Sequence, residues 1–129
     1  MTEVREPAKS FKDLVVWQKA HQLVLGVYKA TKDFPKEEIF ALTSQFRRFA
    51  VSVAANIAEG FKKKGTADKL RFLNISQGSL SETEYYLLLT QDLNYHKVDL
   101  LMDQASEVGK LLESYMKAIG KNRLLNSNS

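Results

Sequence analysis

Apolar residues recur along this chain at steps of three and four in four separate stretches, the spacing of a helix with one buried face. The first pattern begins near Asp13 and runs through Val16, Ala20, Leu23, Val27 and Ala30, with a second seam beside it at Trp17, His21, Val24, Tyr28 and Thr31. Phe34-Pro35 ends it, because the residue before proline is steered out of the helical region. The next helix is predicted to start between Lys36 and Thr43, with its seam at Leu42, Phe46, Phe49, Val53 and Asn56 and Gly60 as its C-terminal cap. Phe49 to Ala58 carries no charge and four alanines, a pattern expected of a helix buried on more than one side.

A lysine-rich loop, Phe61 to Gly65, leads to Thr66 as N-cap of a third helix reaching Asn94, with its seam at Leu73, Ser76, Leu80, Thr83, Leu87 and Thr90. Phe72, Ile75, Tyr85, Tyr86, Leu88 and Leu89 lie off that seam and exceed what one bundle face can cover. After a turn at Asn94–Lys97, the fourth helix carries Leu101, Ala105, Val108, Leu112, Tyr115 and Ile119, and Gly120 is predicted to end it. Short connections force each helix antiparallel to its neighbour. The prediction is an all-α, up-down-up-down four-helix bundle over residues 13–120, between an arm at 1–12 and a disordered tail at 121–129. The linker between the first two helices is the longest connection.

Composition narrows the class. At 129 residues, 44% hydrophobic and 26% charged, the chain suffices for one globular domain. It has no cysteine, which removes disulfides and thiolate metal sites and fits a reducing compartment. The first residues are polar and no apolar run reaches membrane-spanning length, so the expectation is a cytoplasmic protein with no membrane contact.

Several segments in order resemble a known family. They are Phe11-Lys12-Asp13-Leu14-Val15-Val16-Trp17-Gln18-Lys19-Ala20, Phe34-Pro35 followed by Glu37-Glu38, and Leu42-Thr43-Ser44-Gln45-Phe46-Arg47-Arg48. Asn56-Ile57-Ala58-Glu59-Gly60, Arg71-Phe72-Leu73 and Gly78-Ser79-Leu80-Ser81-Glu82 follow. Together, over roughly residues 11–120, they resemble the bacterial four-helix proteins named after ribosomal protein S23, encoded in intervening sequences of 23S rRNA genes. That family is similar in fold to the accessory variability determinant of diversity-generating retroelements, a pentamer that binds nucleic acid and a reverse transcriptase. The resemblance implies a homopentameric ring and an association with RNA. It supplies no settled activity. Lys97-Val98 stands where the family commonly places a capping Ser or Thr.

No catalytic pattern emerges. His21 lies in an apolar seam and His96 in a turn, where it is expected to be solvated. Neither has a glutamate three residues before it, as a di-iron bundle requires. The chain has no His-Glu-x-x-His, no phosphate-cradling glycine loop and no nucleophile elbow. The expectation is a protein that is not an enzyme and uses neither cofactor nor metal. Gln45, Arg48, Ser52, Asn56 and Glu59 share one side of the second helix, and Ser79 and Glu82 lie near the seam of the third. A carboxylate pair for acid–base or metal chemistry would need a third partner, and none is evident. The expected role is a structural polar network in which Arg48 neutralises a carboxylate and fixes helix register.

Charge carries the functional reading. Antiparallel packing gathers Lys9, Lys12, Lys19, Lys62, Lys63, Lys64, Lys69, Arg71, Lys117, Lys121 and Arg123 at one pole. Against Asp13, Glu59, Asp68 and Glu113, eleven cations and four acids leave a net +7 there. The opposite pole sets six cations (Lys29, Lys32, Lys36, Arg47, Arg48 and Lys97) against six acids. A solvated lysine loop accounts for the basic pole in a monomer, whereas a ring would repeat it on one face and multiply the field. The leading expectation is an oligomeric scaffold that binds RNA through phosphate contacts at Lys62, Lys63, Lys64, Lys69 and Arg71. The alternative is a scaffold for a protein partner that touches no nucleic acid.

Overall fold

The computed structural model describes the backbone of residues 7–127 and side chains through Lys121. Four long helices dominate: α1 (Val15–Thr31), α2 (Ser44–Lys62), α3 (Thr66–Asp92) and α4 (Asp99–Ser127). No strand occurs among the described residues. Each helix packs on its sequence neighbours, and α1 packs on α4 to close the bundle, with α2–α3 the most extensive interface. Paired positions run in opposite directions. Ser76 bonds to Val53 and Ser79 to Ser52, while Tyr86 meets Phe49. Lys19 likewise reaches Glu107, while Gly26 approaches Leu101. The bundle is therefore up-down-up-down as predicted.

The predicted seams form the core. Val16, Ala20, Leu23, Val27 and Ala30 of α1 are buried, as are Leu101, Ala105, Val108 and Leu112 of α4. In α3 the seam alternates leucines with small hydroxyl residues. Ser76, Thr83 and Thr90 are fully buried, and each hydroxyl donates to a carbonyl, of Val53, Ser79 and Tyr86 respectively, at 2.7–2.8 Å. Short side chains that bond the backbone let α3 approach α2 closely without an unpaired polar group.

The helix ends differ from the prediction in four places. A turn of 3-10 helix at Phe11–Asp13 precedes α1, and Ser10 and Asp13 close it as a reciprocal capping box. Gly60 does not stop α2, which continues to Lys62. It has no positive φ and instead permits close packing, since a Cβ there would sit 3.2 Å from the Lys69 carbonyl oxygen. Thr66 is the first residue of α3 and Gly65 the cap position. Gly120 keeps helical geometry and α4 runs on to Ser127, with the last two residues of the predicted tail outside the described region.

Two turns deserve note for what they position. Asn94 has φ 58°, the left-handed value that ends α3. Its N–H donates to Gln91 and that of Tyr95 to Thr90, the Schellman arrangement. The α1–α2 connection is the longest, as expected, but it is structured. Lys36–Glu38 forms a 3-10 turn and Ile39–Thr43 a π-type turn, with Ala41 departing from helical angles. This places Phe40 almost wholly in solvent, at 96% exposure.

The charge-free stretch of α2 is buried on one side only. Ala50, Val53, Ala54 and Ile57 are buried, whereas Val51 and Ala55 are exposed. Of the apolar residues off the α3 seam, Ile75, Tyr85 and Leu88 remain exposed and Phe72, Tyr86 and Leu89 are half-buried.

Candidate nucleic-acid interface

The connection between α2 and α3 is three residues long, Lys63 to Gly65, so its cations have a fixed base. The five predicted contacts divide into two groups there. Lys62 and Lys64 are exposed and join no salt bridge among the described residues. The other three are engaged. Lys63 sits 3.8 Å from the Glu59 carboxylate and 5.0 Å from the centre of the Phe72 ring. Arg71 pairs with Asp68 at 3.6 Å and lies 4.7 Å from the centre of the same ring. Both pairs are solvent-exposed, so they exchange readily for other anions.

Lys69 has a structural task. Its ammonium donates to the Phe61 carbonyl at 2.7 Å and to that of Gly60 at 3.4 Å, and lies 5.5 Å from the Phe61 ring centre. A cation at the carboxyl end of α2 satisfies orphan carbonyls and opposes the helix dipole. The signal for this role was a lysine in the first turn of α3 facing the end of α2 across a three-residue connection.

Elsewhere at this pole, pairing reduces the predicted excess. Lys19 bonds Glu107 at 3.1 Å and Lys117 bonds Glu113 at 3.3 Å. Lys9, Lys12 and Lys121 are exposed. The Arg123 side chain lies outside the described residues. The field at the loop therefore rests on Lys62 and Lys64, with Lys63 and Arg71 as neutralised reserves.

The predicted polar network assembles only at its neutral members, Ser52, Asn56 and Ser79. Gln45, Arg48, Glu59 and Glu82 are exposed, and no hydrogen bond joins them. Asn56, Ser52 and Ser79 form the helix–helix link. The Asn56 amide donates to the Ser52 carbonyl at 2.8 Å and hydroxyl at 3.0 Å, and Ser52 bonds Ser79 of α3 at 2.7 Å. Register is thus held by small neutral groups, which avoid the desolvation cost of a buried carboxylate.

His21 is half-buried and stacks on Trp17, ring centres 4.9 Å apart. His96 is half-buried rather than solvated. No group of three or more His, Asp or Glu is placed to hold a metal among the described residues. No described helix is long and apolar enough to cross a membrane.

These features define a four-helix bundle with a basic inter-helix loop at one end and no assembled acid–base pair among its predicted polar residues. The model of the 23S rRNA-intervening sequence protein family matches residues 12–114, and the chain belongs to that family. Among solved structures it is similar to a protein of unknown function from the S23 ribosomal protein family of Bacteroides thetaiotaomicron. The two share 30% sequence identity and superpose with a TM-score of 0.75, over 82% of this chain and 98% of the other. No curated protein matches the chain.

Proposed function

We propose that the protein is a cytoplasmic, non-enzymatic scaffold that assembles into a homopentameric ring and holds RNA by its phosphates. The observation that carries the reading is a pair of exposed lysines, Lys62 and Lys64, that join no salt bridge among the described residues, at a short connection beside two more cations in exposed pairs. Lysines present point charges without the fork of arginine, so the surface suits phosphate density rather than base identity. Membership of a family named for intervening sequences of 23S rRNA supports RNA over DNA.

Assembly is supported by the outer face of α3, where Ile75, Tyr85 and Leu88 are 44%, 57% and 49% exposed. Large apolar side chains in this number seek cover. The same face supports the second reading, in which the ring recruits a protein and binds no RNA. Fluorescence anisotropy with unrelated single-stranded RNAs separates the two. The K62A/K63A/K64A variant should fold and assemble like the parent and bind every RNA more weakly. Equal affinity of variant and parent would remove the loop from the function and leave the protein-recruiting reading.

A further inference from the structure

The opposite pole, neutral when its charges are summed along the sequence, carries a concentrated cationic cleft. It lies between the end of α1 and the start of α2, against the π-type turn, with a volume of about 770 Å³. Lys32, Lys36, Arg47 and Arg48 all line it, and no carboxylate does. Two acids of this pole near the cleft in sequence are engaged elsewhere. Glu38 accepts a hydrogen bond from the Tyr95 hydroxyl at 2.9 Å, and Asp33 lines a separate groove between α1 and α4. None of the four cations forms a salt bridge among the described residues.

The cleft also has a built framework. Arg47 is fixed, its Nε donating to the Thr31 hydroxyl at 2.8 Å and its guanidinium lying 4.7 Å from the centre of the Tyr28 ring. Arg48, expected to neutralise a carboxylate, is exposed. The Thr43 hydroxyl, in a residue of the cleft wall, is buried with no hydrogen-bond partner. At the rim stands Phe40, the most exposed large apolar residue described. Four like charges in one cleft repel one another unless an anion joins them, and guanidinium groups match phosphate oxygens well. A bare aromatic ring beside such a site is a stacking platform for a base.

We infer that this cleft binds a nucleoside phosphate, with the phosphate among Lys32, Lys36, Arg47 and Arg48 and the base on Phe40. The volume is in the range of small-molecule sites. The site is separate from the Lys62–Lys64 loop at the other end of α2, with Lys62 about 22 Å from Arg47 by helix rise.

Isothermal titration of the full-length protein with adenosine monophosphate, adenosine and inorganic phosphate tests it. The monophosphate should bind one per chain, phosphate about tenfold more weakly, and adenosine alone not measurably. F40A should bring the monophosphate down to the affinity of phosphate, a loss of about tenfold. R48A combined with K32A should abolish binding while circular dichroism matches the parent, since both side chains are exposed. K62A/K63A/K64A should bind the monophosphate like the parent even if it loses RNA. The inference is overturned by an absence of saturable binding, by full affinity in F40A or in R48A/K32A, or by loss of binding in the loop variant.

Discussion

Replacing Lys69 with methionine tests whether this lysine holds the end of α2 or merely adds to the surface charge. Methionine keeps most of the aliphatic stem and removes the ammonium. The bond to the Phe61 carbonyl, at 2.7 Å, is short and charge-assisted. Hydrogen bonds of this kind contribute about 1.5–3 kcal/mol when sheltered, and the partial exposure of this one argues for the lower end. The contact with Gly60 at 3.4 Å is too long to add much. Loss of a cation from the helix terminus and from the face of Phe61 adds a few tenths of a kcal/mol. The expected destabilisation is about 1.5–2 kcal/mol. With an unfolding entropy of about 2.1 cal/mol/K per residue, this corresponds to a Tm lower by about 5–7 °C. Thermal melts followed by circular dichroism at equal protein concentration measure it, with K62M as the control. Lys62 makes no salt bridge among the described residues and should stay within about 0.5 kcal/mol of the parent. A K69M variant that melts with the parent would refute the capping role.

The remaining expectations concern the turns and the assembly face. N94A should cost about 1 kcal/mol in chemical denaturation, because alanine must adopt the φ of 58° that ends α3, whereas N94G should be at least as stable as the parent. The Tyr95 hydroxyl donates to Glu38, which holds its pKa above the usual 10.0 and favours the neutral phenol in the folded state. That contribution is complete below pH 10 and is lost as the pH climbs through the raised value, so the advantage of the parent over Y95F should be constant from pH 7 to about 9 and shrink above pH 10. L88K should lower the assembled fraction seen by light scattering without reducing helix content, as Leu88 is half exposed on the outer face of α3.

The bundle was legible because its apolar residues keep helical spacing and its breaks carry clear chemistry. The Asn94 turn ended α3 close to where expected, while α1 stopped at Thr31, one turn before the Phe34-Pro35 break. Ser76, Thr83 and Thr90 fell on the predicted α3 seam because position, not polarity, decided their burial. Glycine misled at Gly60 and Gly120. The residue permits a left-handed cap or a close approach, and only the neighbouring helix shows which one is used. The π-type turn at Ile39–Thr43 was hidden because its residues suit an ordinary helix start equally well. The same holds for charge. Summation along the chain cannot tell that Glu38 turns to Tyr95, that Asp33 lines another groove, or that Lys69 is spent on two carbonyls. The charged part of the expected network, with Gln45, Arg48, Glu59 and Glu82, did not form for a related reason. Sharing a helix side does not bring side chains into contact, and the buried positions between α2 and α3 went to smaller residues.

The central claim is that exposed lysines on the α2–α3 connection hold RNA by its phosphates. The most direct measurement is the salt dependence of binding to one short single-stranded RNA, for the parent and for K62A/K64A. Each phosphate contact contributes about 0.7 to the log–log slope, so removing both lysines should flatten the slope by about 1.4 per protomer engaged and weaken binding at low salt. An identical slope in parent and variant, or binding by the parent that does not change with salt, would contradict the account.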